Sequence, residues 1–80
     1  MENQFPFGID PERLYTTEEA AELRRSKPSA LESERARGAG PKFVKNGRRV
    51  LYPGMYLIQW FESRTVNNTR RFGTYGDGEA

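Results

Sequence analysis

The chain contains no cysteine and no histidine. The first absence excludes disulfides, thiolate nucleophiles and cysteine-based zinc sites. The second removes the commonest general acid/base and the commonest nitrogen ligand for a metal. Apolar residues are scarce as well: 35% of the 80 positions are hydrophobic and 30% are charged, which fits one small domain with a thin core. No apolar run approaches the roughly 20 residues that cross a bilayer, and Met1 is followed by Glu2 rather than by the basic and apolar regions of a leader. A soluble cytoplasmic protein is expected, with no cofactor, no metal and no catalytic residues. Glu18 and Glu22 share a helix face, but no histidine, cysteine or metal set accompanies them, and acidic residues at a helix start are common.

What is present is distributed unevenly. Residues 1–23 carry six acids and one base, residues 24–52 carry nine bases and two acids, and residues 53–80 carry three of each. The small net charge of +2 therefore conceals a basic centre. Positive charge gathered on one stretch is what a nucleic-acid face requires, and it is also what a solvated basic surface looks like.

The local signals around that centre are strong. Thr16 followed three residues later by Glu19 forms a capping box that opens a first helix, from Thr17 to about Arg25. Ala20 and Leu23 supply its inner stripe. Ser26 and Lys27 make a turn, and Pro28 stands at the first position of a second helix that runs to about Arg37, where its missing N–H costs nothing. Gly38 and Gly40 stop that helix. Leu31 is its one large apolar residue, so most of its surface must face water or a ligand. Four positions past Glu34 stands Gly38 rather than a base, and the sequence assigns Glu34 no clear role. Asn46-Gly47 tips a hairpin, with Phe43, Val44, Val50 and Tyr52 as anchors and Lys45, Arg48 and Arg49 around the tip. Pro53 starts a third helix that runs to about Ser63, with Leu57, Trp60 and Phe61 on its buried face. These elements predict an α+β, mainly α, winged helix-turn-helix: three helices, with a two-stranded hairpin between the second and third.

Both ends read differently. Residues 1–13 form an irregular arm, because Pro6 and Gly8 interrupt Phe5, Phe7 and Ile9. The arm folds back on the core or docks on a neighbouring molecule. Residues 14–63 make the domain. Residues 64–80 read as a flexible tail, with glycines at 73, 76 and 78 and no apolar period.

Residues 14–63 resemble the excisionase family of small MerR-like winged helix-turn-helix proteins, which includes phage excisionases, recombination directionality factors of integrative elements and AlpA-type activators. The resemblance rests on Leu14 to Leu23 (LYTTEEAAEL), Pro28 to Leu31 (PSAL), Gly38 to Tyr52 (GAGPKFVKNGRRVLY), Leu57 and Trp60. The string from Gly40 to Tyr52 is its most specific part. It implies that the second helix enters the major groove, with Lys27, Ser29, Ser33 and Arg37 at bases or phosphates, and that Arg48 on the wing enters the minor groove. A narrow minor groove concentrates negative potential and attracts arginine. Arg25, Arg35, Lys42, Lys45 and Arg49 complete the candidate DNA-binding set. Many relatives have an aromatic residue where this chain has Glu34, a threonine where it has Ala30 and an apolar residue where it has Ser26. Ser29 and Ser33 can each bond several bases, which implies modest sequence preference, with affinity drawn from phosphates, shape and copies bound side by side.

The resemblance further implies a function without catalysis of its own: a recombination directionality factor that binds adjacent sites on double-stranded DNA, bends it and biases a tyrosine-recombinase integrase toward excision of a mobile element. A transcription regulator of the same fold needs the same groove-reading parts. A protein–protein adaptor is the reading from another class, suggested by the acidic first helix and the aromatic residues at both ends.

Overall fold

The computed structural model describes residues 4–66. After a short 3-10 segment at Pro6–Gly8 come strand β1 (Leu14–Thr16), helix α1 (Thr17–Leu23), helix α2 (Pro28–Ala36), strands β2 (Val44–Asn46) and β3 (Arg49–Pro53), and helix α3 (Gly54–Ser63). The domain is α+β, with three α-helices and one antiparallel sheet. The expected tail beyond Val66 lies outside the described residues.

The sheet differs from expectation. It has three strands, in the order β1-β3-β2, rather than the two of a lone hairpin. Leu14 faces Pro53, Tyr15 faces Tyr52 and Thr16 faces Leu51. Strand β1 has no legible period, because its three residues run directly into the cap of α1. That cap is the predicted one: the Glu19 amide donates to Thr16 Oγ1 at 3.1 Å, and the Thr16 amide donates to Glu19 Oε1 at 3.0 Å. The hairpin is also shifted. Asn46 pairs with Arg49, so the loop residues are Gly47 and Arg48 rather than Asn46 and Gly47. Of the two, only Gly47 has a positive φ, +65°. A glycine at the first central position is what a type II′ turn demands.

The core comprises Ile9, Tyr15, Ala20, Ala21, Leu31, Tyr52, Leu57 and Ile58, with Leu23, Phe43, Val50 and Phe61 packed against it. Val44 is not an anchor; it is 42% exposed. It stands opposite Leu51, out of phase with Val50 and Tyr52, and therefore belongs to the other face of the sheet. Trp60 is only half-buried, and Ile58 joins the expected Leu57 as a buried side chain of α3. Helix α1 stops at Leu23, short of the expected end, and Ala21 rather than Leu23 joins Ala20 as its fully buried residue. No helix among the described residues is long and apolar enough to cross a membrane.

The N-terminal arm folds back on the core. Ile9 is completely buried, and the Phe7 ring stacks on Phe61 of α3 with centroids 5.1 Å apart. Asp10 fixes the bend: its Oδ1 accepts from the Glu12 amide, while its own amide donates to the Tyr15 hydroxyl at 3.0 Å. The arm also finishes α3. Pro53 closes β3 rather than opening the helix, and it offers no capping side chain. The carbonyls of Arg13 and Pro11 instead accept from the amides of Gly54 and Met55 at 2.8 and 3.2 Å. The arm is so close that a Cβ on residue 54 would collide with the Asp10 carbonyl. Gly54→Ala should therefore cost about 1–3 kcal/mol, the usual penalty for overpacking a tight site. Urea unfolding of the variant measures it, and an unchanged midpoint would show that the arm yields freely.

Candidate functional site

The residues predicted to contact DNA occupy two elements and the segments beside them. Helix α2 begins at Pro28 because Lys27 holds an extended backbone, with φ −99° and ψ 151°, as its N-cap. Leu31 is buried, so positions three and four beyond it face inward and the opposite positions face solvent. Ser29, Glu32, Ser33, Ala36 and Arg37 form that exposed stripe. Arg37 Nη1 donates to Ser33 Oγ at 2.8 Å, which holds one turn of the stripe in a fixed arrangement.

Arg25, Lys27, Lys42, Lys45, Arg48 and Arg49 are exposed. Arg48 sits in the hairpin loop, Lys45 and Arg49 lie on the strands that enter and leave it, and Lys42 precedes β2 with its ammonium 5.6 Å from the Tyr56 ring centroid. Arg25 has φ +57°, a left-handed conformation that a non-glycine residue adopts only at a cost. Among the described residues, none of these six cations takes part in an ion pair; the pairs are Arg13 with Glu19 and Arg24 with Glu34.

Arg35 is placed differently from the other predicted residues. It lies four positions past Leu31 and turns toward the sheet, where Nη1 donates to the Tyr52 hydroxyl at 2.8 Å and approaches Thr17 Oγ1 at 3.4 Å. Its guanidinium also lies 5.6 Å from the Phe43 ring centroid. Its donors serve the packing of α2 on β3.

Glu34, three positions past Leu31, is answered by Arg24 at the end of α1. The pair is bidentate, at 2.8 and 2.9 Å, with side chains only 9% and 19% exposed for Arg24 and Glu34. The Arg24 guanidinium also stacks over Trp60, 4.0 Å from its ring centroid, and Arg64 lies 4.2 Å from the same ring. One salt bridge thus joins all three helices. Gly40 fits against it because a Cβ there would press on the Glu34 carboxylate. Sequence reading missed these roles, although spacing from Leu31 points both Glu34 and Arg35 inward.

Between the start of α1, the exposed side of α2 and β3 is a cleft of ≈ 230 Å³ lined by Thr16, Thr17, Glu18, Glu32, Arg49 and Val50. No group of three or more metal-ligating side chains occurs among the described residues. No family model, curated protein or solved structure matches this chain.

The Glu34–Arg24 pair makes stability depend on pH. The hydrogen bonds from Arg24 hold the Glu34 carboxyl below its ordinary value of 4.5. A carboxyl lowered in the folded state stabilises fully above its unfolded value and loses that contribution as pH falls through the lowered one. Glu34→Gln should therefore be less stable than wild type near neutrality, with the gap narrowing below about pH 4. Denaturant titrations at several pH values would test this, and a gap independent of pH would remove the ion pair as its cause.

Proposed function

We propose that this protein binds double-stranded DNA through a winged helix-turn-helix arrangement, with α2 in the major groove and the β2–β3 hairpin as a wing against the minor groove. The observation that carries the reading is the set of exposed cations without ion-pair partners among the described residues: Arg25 and Lys27 before α2, Lys42 and Lys45 ahead of the hairpin loop, and Arg48 and Arg49 at it. A polar stripe of Ser29, Ser33 and Arg37 supplies hydrogen-bonding groups beside them. Phosphate contacts position such a domain, and groups reaching base edges give it sequence preference. Of the acids of α1, Glu19 accepts from the Thr16 amide and pairs with Arg13, whereas Glu18 lines the cleft beside Glu32 and Arg49.

Within DNA binding, the resemblance of residues 14–63 to excisionases favours an accessory role in site-specific recombination. The protein would load side by side on adjacent sites, bend the duplex and direct a tyrosine-recombinase integrase toward excision. The chemistry of cutting and joining would belong to the integrase. A transcription regulator would use the same surface, and footprinting separates the two: clustered, regularly spaced protection beside a recombination site favours the first, and one isolated operator favours the second.

Gel shifts on random duplexes at two salt concentrations test the common premise. Each neutralised phosphate contributes about −0.9 to the slope of log affinity against log salt. Arg48→Ala should weaken binding by about 1–3 kcal/mol, and an unchanged affinity would take the hairpin out of the interface. Arg25→Gly should raise stability by up to about 1 kcal/mol by relieving the left-handed strain while weakening duplex binding. A variant that is more stable and binds equally well would remove Arg25 from the contact set.

A further inference from the structure

The exposed stripe of α2 contains one side chain whose charge is wrong for a phosphate. Glu32 lies between Ser29 and Ser33 on the solvent side of the helix and, among the described residues, makes no ion pair or hydrogen bond. It lines the cleft shared with Arg49 and the start of α1. Glu34 two positions later is held by Arg24 and turned inward, so the two acids of α2 have different environments. An unpaired carboxylate beside a polyanion lowers affinity unless it meets a donor, and carboxylates only accept hydrogen bonds.

In the major groove the donors on base edges are the exocyclic amines of cytosine and adenine. Adenine places the acceptor N7 beside its amine, which repels a carboxylate. Cytosine has no acceptor next to N4 on its own groove edge. We infer that Glu32 is the base-discriminating residue of α2 and accepts a hydrogen bond from cytosine N4. This inference rests on the DNA-binding reading above. Ser29 and Ser33 bond donors and acceptors alike, and Arg37 donates to Ser33 Oγ at 2.8 Å, so Glu32 is the unengaged group on the stripe that can bond in one sense only. The cleft that Glu32 lines also holds one cation, Arg49, and one further acid, Glu18.

The test is selection of bound duplexes from a randomised pool, with the full chain as wild type, Glu32→Gln and Glu32→Ala. Wild type should enrich cytosine at one position, by about tenfold or more over the other bases. Glu32→Gln should move the preference at that position to adenine, because a carboxamide can accept from N6 and donate to N7 together. Glu32→Ala should lose the preference there while binding random duplex at least as tightly as wild type. Melting curves of both variants should match wild type, since the side chain is exposed. The same preference in wild type and both variants would overturn the inference and leave DNA binding standing, as would wild-type binding with no preference at any position. Failure of wild type to bind any duplex at low salt would overturn the DNA-binding reading as well.

Discussion

A phenol buried without access to water must find a hydrogen-bond partner inside the protein, and the arrangement of this domain follows from how Tyr52 finds one. Tyr52 is fully buried on the central strand β3, and Arg35 of α2 donates to its hydroxyl at 2.8 Å. Leaving such a group unsatisfied costs about 1–3 kcal/mol. The bond therefore fixes the rotation of α2: with Arg35 and Leu31 turned inward, Ser29, Glu32, Ser33 and Arg37 must face out. The charged interior of a small domain thereby determines the chemistry of its exposed helix face.

The salt bridge between Arg24 and Glu34 acts in the same direction. With only Ala20 and Ala21 fully buried on α1 and only Leu31 on α2, apolar contact between these helices is slight. A bidentate pair at 2.8 and 2.9 Å, stacked on Trp60, supplies the geometric definition that larger side chains would otherwise provide. The arrangement costs desolvation of both charges, and removing either partner would strand the other. It also reduces the positive charge available at the surface. Two members of the basic stretch, Arg24 and Arg35, are committed to internal contacts.

What could be read from the sequence was local. The capping box at Thr16 and Glu19, the proline opening α2, the hairpin and the glycine in its loop all depend on residues a few positions apart. Strand β1 was not legible, because three residues carry no period and its partner β3 lies across two helices. The roles of Arg24, Glu34 and Arg35 were hidden for a related reason. A cation in a basic stretch looks the same whether it meets solvent, a carboxylate ten residues away or a phenol seventeen residues away. The loop was off by one residue because Asn46-Gly47 fits the mirror-image turn equally well, and only strand register separates the two. The candidate surface was legible as a set of exposed cations, less Arg35.

The sheet order also bears on the sequence of events in folding. The hairpin closes over a two-residue loop and can form locally, within about 1–10 μs. Strand β1 can join β3 only after the chain between them has compacted, since that pairing encloses both α1 and α2. The same event brings the Arg13 and Pro11 carbonyls to the first amides of α3. Docking of β1 is thus a late closure that completes the sheet and a helix start together, and a nascent chain cannot make it until Met55 has left the ribosome.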